Sequence, residues 1–350
     1  MNPPDGLCHY IYYDSVVVTK SKLVGVEINT SWTTFITSLS TYTTTTGGIG
    51  FDVRYSPASE MNATTEQDLK ELVRQNIKHY GVLNVLDIPD KINKRFADAK
   101  ELLSTLKGYQ EGDGSRKTLI AMGILNYKHP NAMSFLRDIF QDAVNQHVAD
   151  TVIVYSSLSW IESNEECYSH PPSVFDRTAY SGAAVKEADR APDIKSISRL
   201  MTKDKSFTSD AKMGLSLELG TLVYGLRNPA SSFDAVNAQC MTLYVTNLDV
   251  LPCRINLLAI RNELFEGVNV AELKNDTLKV LLFDDDLTIS KKCNDMRRNS
   301  TFLRSGMSIL LVNAHLGDFD TNSSCKGQNE MDREDPFWRI KVVKNVLKIP

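Results

Sequence analysis

Acidic residues are the side chains in this sequence that are best suited to chemistry. Asp52 lies in a glycine-rich apolar segment, and Asp87 and Asp90 follow the apolar run of residues 82–86. A carboxyl group at the end of a buried strand can donate or accept a proton during a reaction.

Other residue groups test whether a metal or a cofactor is expected. The acidic run 284–286 is open to metal binding or to helix capping, and capping explains it better because acids stabilise helix N-termini. Cys167 and His170 lack a second pair at zinc spacing. The sequence contains no G-x-S-x-G nucleophile elbow and no glycine-rich phosphate loop. We therefore expect no metal and no cofactor.

Bulk composition argues against two classes of partner. The chain has 350 residues, 42% of them hydrophobic, and a net charge of -4 without a basic stripe, so we expect no nucleic acid partner. The longest aliphatic run, near residues 309–312, is too short to span a bilayer, so we expect no membrane partner.

Six cysteines and five glycosylation sequons favour an extracellular protein. The sequons are at Asn29, Asn62, Asn275, Asn299 and Asn322. No signal peptide is present at the N-terminus, and we therefore expect the sequence to be a fragment that lacks its leader.

Short β-rich runs alternate with amphipathic helical stretches along the chain, which is typical of a parallel α/β fold. Thr64 with Gln67 predicts a capping box at the start of one helix. Seven strand regions are recognisable, and residues 227–280 interrupt the alternation as an insertion. His315 and Asp318 follow the last predicted strand and are candidate binding residues, with polar packing as the alternative. Trp160 could stack on a ligand ring or could belong to the core.

Several segments, in the right order, resemble the chitinase-type family-18 glycoside hydrolases. The start, residues 7–13, is similar to the family's second strand, and residues 213–215 with Tyr224 are similar to its seventh. Residues 233–240 resemble its inserted α+β subdomain, and residues 283–291 and 306–319 resemble its final helix and strand.

The resemblance implies a (β/α)8 TIM-type barrel spanning residues 1–350 whose first strand is absent, with the insertion 227–280 inside it. It also implies a disulfide between Cys240 and Cys325, leaving Cys8 without its usual partner. Tyr224 becomes a candidate binding residue.

Hydrolysis in this family uses a strand-four pattern Asp-x-x-Asp-x-Asp-x-Glu, whose acids point together into the barrel mouth. Residues 80–90 resemble that strand, and the four acidic positions then fall on Leu83, Leu86, Ile88 and Asp90. Aliphatic side chains cannot transfer a proton. A second register, residues 47–55, would retain Asp52 and place Arg54 at the proton-donor position.

Two other strand ends are altered as well. Ser157 and Leu158 replace the family's tyrosine and aspartate at strand six, and Val312 replaces its tryptophan at strand eight. We therefore expect a secreted chitinase-like protein without hydrolase activity that binds chitin, another N-acetylglucosamine-type glycan, or a protein. The alternative is an active glycosidase that uses the relocated acids Asp52, Asp87 or Asp90.

Overall fold

The computed structural model describes residues 2–25, 30–110, 114–125, 129–157, 167–176, 192–202, 210–229, 236, 238–246, 257–261, 269–273, 276–298, 307–316 and 337–348. The chain folds into two compact units. The first unit comprises Met1–Val154, Lys203–Gly214 and Gly306–Ser308. The second comprises Tyr155–Thr202, Leu215–Ser305 and Ile309–Pro350.

The first unit alternates strands and helices. Its strands are β1 (Tyr10–Thr19), β2 (Lys22–Val24), β3 (Thr46–Phe51), β4 (Ile77–Asp87), β5 (Thr118–Ile124) and β6 (Thr151–Val154). Its helices are α1 (Thr30–Thr41), α2 (Ala63–Val73), α3 (Pro89–Gly108) and α4 (Ala132–Asn145). Strands β1, β3, β4, β5 and β6 pair in parallel in that order, and β2 pairs antiparallel with β1.

The helices of this unit form where the apolar spacing predicts them. Helix α3 begins with Pro89, whose missing N–H is unpaired at a helix start in any case. Its buried stripe keeps the spacing of three and four residues along one face, and comprises Ile92, Phe96, Ala99, Leu102, Leu103 and Leu106. Burial of each large side chain in such a stripe stabilises the fold by about 1.5–3 kcal/mol.

The second unit contains a six-stranded antiparallel sheet. Its strands are β7 (Cys167–Tyr168), β9 (Thr221–Leu226), β10 (Gln239–Thr246), β11 (Leu257–Arg261), β12 (Asn269–Leu273) and β13 (Asp276–Phe283), in the order β11-β12-β13-β9-β10-β7. One face of the sheet forms an apolar core that includes Leu222, Tyr224, Val280 and Leu282. The helices are α5 (Ile194–Thr202), α6 (Asp286–Arg298) and α7 (Trp338–Leu347).

Two further strands, β8 (Lys212–Glu218) and β14 (Ser308–Val312), complete an eight-stranded sheet with the order β14-β8-β6-β5-β4-β3-β1-β2. A mostly parallel sheet of this length, built from β–α steps, places the fold in the (β/α)8 TIM-type class. The fold class implied by the sequence is therefore confirmed. That a first strand precedes residue 1, and that the chain is one barrel domain with an insertion at 227–280, stay predictions.

The disulfide is not the predicted one. Cys240 of β10 is bonded to Cys167 of β7, with 4.9 Å between their Cα atoms, so the expected Cys240–Cys325 bond is wrong. The two strands pair antiparallel and place these residues directly opposite each other. The bond therefore fastens a two-residue strand to the edge of the second sheet. Cys325 lies outside the described residues.

Helix starts are set by residues that the sequence pattern placed slightly differently. Helix α2 is capped by Asn62, whose side chain accepts the backbone N–H groups of Thr64 and Thr65, so the predicted Thr64–Gln67 capping box is wrong. At α6, Asp285 accepts the Thr288 N–H at 2.8 Å while the Thr288 hydroxyl accepts the Asp285 N–H at 2.9 Å. The capping interpretation of the acidic run 284–286 is thus confirmed.

Candidate functional site

The face of the sheet that carries functional groups is identified by its glycines. A Cβ on Gly47 would lie 2.3 Å from the Leu39 side chain of α1, so Gly47 faces the helix. Its neighbour Gly48 therefore faces the other way, and a Cβ there would lie 2.5 Å from the ring of Tyr12. On the face opposite α1, side chains of β1 therefore pack over the glycines of β3, which have no side chains of their own.

The same arrangement repeats two residues further on. Asp14 is paired in register with Gly50, and a Cβ on Gly50 would lie 2.4 Å from the Asp14 Oδ1 atom and 2.9 Å from Leu83 Cδ1. Alternate residues of a strand share a face, so Asp14 follows Tyr12 on the side opposite α1. The carboxyl group of Asp14 therefore occupies the space that the missing side chain of Gly50 leaves open.

Asp52 follows β3 directly, and its carboxylate is fully engaged. Arg54 donates from Nε at 3.0 Å and from a terminal nitrogen at 2.7 Å, and Asn84 Nδ2 of β4 donates at 2.7 Å. Burial alone would raise the pKa of Asp52, but the hydrogen bonds from Arg54 and Asn84 outweigh it and lower the pKa. Asp52 is therefore held as a carboxylate and is poorly suited to donate a proton.

Asp14 has the opposite character. Its side chain is open to solvent, yet enough protein surrounds it that burial raises its pKa to about 6. The nearby charge of Asp52 adds to this increase, and Arg54 opposes it. A carboxyl group with such a pKa changes its protonation state near neutral pH, as general acids and bases do.

Arg54 and Tyr55 continue the site outwards. The Arg54 side chain is 53% exposed even though it pairs with Asp52, and its guanidinium lies 5.5 Å from the centre of the Tyr55 ring. Tyr55 is itself an exposed aromatic residue. Planar groups of this kind offer stacking surfaces to a ligand. We call Asp14, Gly50, Asp52, Arg54 and Asn84 the carboxylate cluster.

Of the four strand-four positions, Leu83 and Leu86 lie in the carboxyl half of β4, and Ile88 and Asp90 follow the strand. Leu83 is buried, Leu86 and Ile88 are partly buried, and Asp90 is exposed in the first turn of α3. This portion of the chain contains no glutamate, so it supplies no glutamic acid as a proton donor.

The remaining candidate acid, Asp87, is buried and forms an ion pair with Arg95 of α3 at 3.0 Å. Of the three candidate acids, Asp52 and Asp87 are thus paired with arginines, and Asp90 lies on a helix. The described contacts bring only Asp52 into the carboxylate cluster.

A second polar cluster lies within the second unit. Ser157 and Ser216 share a hydrogen bond of 2.7 Å between their hydroxyl oxygens, and the Ser156 hydroxyl donates to the Ser216 carbonyl at 2.6 Å. Glu218, at the end of β8, is buried and accepts both the Gly220 N–H at 2.7 Å and the Asn313 amide at 3.0 Å. Ser157, which occupies the family's tyrosine position in our alignment, is therefore committed to a buried network.

Of the other predicted binding residues, Tyr224 is buried and His315 is exposed. Tyr224 is 1% exposed, and its hydroxyl donates to the His170 carbonyl at 2.9 Å, so it belongs to the core of the second sheet rather than to a binding surface. Burial raises the pKa of Tyr224 above its usual value. His315 is exposed in a short 3-10 helix after β14. Trp160 and Asp318 lie outside the described residues.

One of the five sequon asparagines, Asn62, lies among the described residues. Asn62 is exposed, whereas Asn29, Asn275, Asn299 and Asn322 lie outside the described residues. In the described part of the chain, no three His, Cys, Asp or Glu side chains come close enough together to hold a metal ion. Asp284 instead forms a buried ion pair with Lys292 at 2.6 Å. None of the helices in the same part combines the length and apolar character needed to cross a bilayer.

Asp14 and Asn84 are not among the candidate residues that the sequence indicated. A signal for Asp14 was present: Tyr10, Tyr12 and Asp14 alternate along β1, and Gly48 and Gly50 alternate along β3. When glycines alternate along one strand and large side chains alternate along another, the two strands can be neighbours, with the large side chains packing over the glycines. That pattern does not reveal which neighbouring strand supplies the amide of Asn84.

Together, the parallel-rich α/β sheet and its β–α steps define a barrel protein of the TIM type, with a candidate site around the carboxyl end of β3. No family model and no curated protein sequence matches the chain. Solved structures do.

An immunomodulatory active chitinase from Trichuris suis superposes with a TM-score of 0.64 at 12% identity, covering 99% of this chain and 93% of that one. A chitinase from Rhizomucor miehei gives a TM-score of 0.61 at 10% identity, with 97% and 94% covered. Human YKL-39, described as a pseudo-chitinase with retained chitooligosaccharide binding, gives 0.60 at 12% identity, with 98% and 92% covered. The chain therefore has the family-18 glycoside hydrolase fold in a divergent form.

Proposed function

We propose that this protein is a secreted chitinase-like protein that binds an N-acetylglucosamine-type glycan and does not hydrolyse it. The observation that carries the proposal is the state of the acids. The carboxyl end of β4 presents Leu83, Leu86 and Ile88, and the neighbouring Asp52 is held as a carboxylate by Arg54. Glycoside cleavage requires a group that protonates the leaving oxygen, and neither arrangement supplies one.

Glycan binding, rather than a purely structural role, is supported by the retained surface of the site. Asp14, Arg54 and Tyr55 are exposed at the carboxylate cluster and offer acceptors, donors and an aromatic face. Human YKL-39, which shares the fold, is described as binding chitooligosaccharides while being a pseudo-chitinase. Binding of a protein partner is the remaining outcome if glycan binding fails.

Secretion is part of the proposal. The Cys167–Cys240 disulfide and the exposed sequon asparagine Asn62 both fit an oxidising compartment. Expression through the secretory pathway of a eukaryotic host should add glycan at Asn62, and peptide mass spectrometry would detect it. An unmodified Asn62 and a reduced Cys167 in secreted material would argue against an extracellular protein.

An active glycosidase is the second candidate, and one observation favours it. Asp14 is a solvent-exposed carboxyl group whose pKa is raised to about 6, which suits a general acid. The two candidates separate in one experiment: tetra-N-acetylchitotetraose is incubated with the protein, and both binding and cleavage are measured. Binding without cleavage supports the proposal. Cleavage that an alanine substitution at Asp14, Asp52, Asp87 or Asp90 abolishes supports the glycosidase.

A further inference from the structure

The carboxylate cluster contains two aspartates in contrasting states. Asp52 is saturated by hydrogen bonds from Arg54 and Asn84, whereas no described residue donates a hydrogen bond to the Asp14 carboxyl group. The two aspartates lie on neighbouring strands. The carboxyl group of Asp14, on β1, lies over Gly50 of β3, and Asp52 follows β3 directly. A polar group that is exposed, positioned and without a described donor is available to a ligand.

We propose that Asp14 contacts the glycan directly, and that it does so as a carboxylic acid that donates its proton in a hydrogen bond to a glycan oxygen. This inference rests on the proposed glycan-binding function and adds a residue and a protonation state to it. The proton stays on Asp14, so no bond of the glycan is broken.

The surroundings of Asp14 explain why it would bind in the acid form. The charged groups that face it are Asp52 and Arg54, from the segment after β3. Strand β4 contributes Leu83, which does not titrate, and β1 contributes Tyr12. Arg54 is already paired with Asp52. A negative charge on Asp14 would therefore be repelled by Asp52 and only weakly attracted by Arg54. Burial and Asp52 accordingly raise the pKa of Asp14 to about 6.

The sign of the pH dependence follows from this pKa. Below about pH 6 Asp14 is mostly protonated and can donate; above it the donor is progressively lost. Because deprotonation removes a single hydrogen bond, the affinity should fall as the pH rises through 6 and then level off about fivefold below its value at pH 5. Removal of the hydrogen bond altogether should weaken binding about fivefold, as expected for a single neutral hydrogen bond.

Calorimetric titration of tetra-N-acetylchitotetraose at pH 5, 6, 7 and 8 tests the inference. The proteins are the wild type, Asp14→Asn, Asp14→Ala and Glu101→Gln. Asparagine keeps a donor at every pH, so Asp14→Asn should bind like the wild type at pH 5 and show no pH dependence. Asp14→Ala should bind about fivefold more weakly at pH 5. Glu101→Gln, which removes an exposed carboxylate of α3, is the matched control and should show the affinity and pH dependence of the wild type.

The outcomes separate the inference from the function beneath it. Wild-type binding that is independent of pH, or Asp14→Ala binding that equals the wild type at pH 5, overturns the role of Asp14 and leaves glycan binding intact. Absence of binding by every protein at every pH overturns both. Thermal midpoints recorded for each variant ensure that a lost affinity is not lost folding.

Discussion

Loss of the Cys167–Cys240 disulfide should destabilise the protein substantially. The bond joins residues 73 positions apart, and both cysteines are buried. In the chain-entropy model, a closed loop of this length restricts the unfolded state by roughly 15 cal/mol/K, which is about 4 kcal/mol at 25 °C. A change of this size should lower the melting temperature by on the order of 10 °C, taking about 2–4 °C for each kcal/mol.

The assay compares the wild type with the Cys167→Ala/Cys240→Ala variant by differential scanning calorimetry, each with and without dithiothreitol. Reduction should move the wild type towards the variant and should leave the variant unchanged. This control separates the cross-link from the small apolar contacts that alanine also removes. Equal melting temperatures for the oxidised wild type and the variant would refute the reasoning. So would a peptide map in which Cys240 is joined to Cys325.

Three further changes test individual parts of the fold and site. Asn62→Ala removes the cap of α2 and should cost about 1 kcal/mol in urea denaturation, whereas Asn62→Asp keeps the acceptor and should cost little; equal losses would contradict the cap. Gly50→Ala should displace Asp14 and weaken glycan binding, and Gly108→Ala, whose Cβ would meet no atom within 4 Å, is the control that should leave binding unchanged. Asp5 accepts three backbone N–H groups, which lower its pKa, so its stabilising effect is present above the unfolded pKa of about 3.9 and is lost as the pH falls below it. Asp5→Asn should therefore lower the urea midpoint at pH 7 and make a smaller difference at pH 3, and a difference that grows on acidification would contradict this.

Periodic patterns in the sequence predicted the parts of the fold that repeat. The apolar spacing in residues 92–106 predicted α3 and its buried face, and the run 118–123 predicted β5. These signals work because one buried stripe or one buried strand determines local conformation with many residues at once. The barrel class followed from their order.

Features set by one or two residues could not be predicted in the same way. Strand β7 contains only Cys167 and Tyr168, so no periodicity could reveal that it pairs with β10 and delivers the partner of Cys240. The start of α2 was misplaced because Thr64 and Asn62 are both good capping residues, and local sequence alone does not decide between them.

The candidate site shows the same division. Asp52 could be named from its glycine-rich segment, but its pairing with Arg54 and Asn84 depends on the register of two parallel strands. Asp14 was missed because its importance comes from what lies opposite it, the open position at Gly50. Cross-strand neighbours are a property of the sheet and not of any single segment.

One measurement tests most directly whether the site binds chitooligosaccharide without cleaving it. A large molar excess of protein is incubated with tetra-N-acetylchitotetraose for several hours at pH 5 and pH 7. The sugars are then separated, and each oligomer is identified and quantified by mass spectrometry. The tetramer should be recovered intact from a protein that binds it. Dimer or trimer that accumulates with time, and disappears when Asp14 or Asp52 is replaced with alanine, would contradict this expectation.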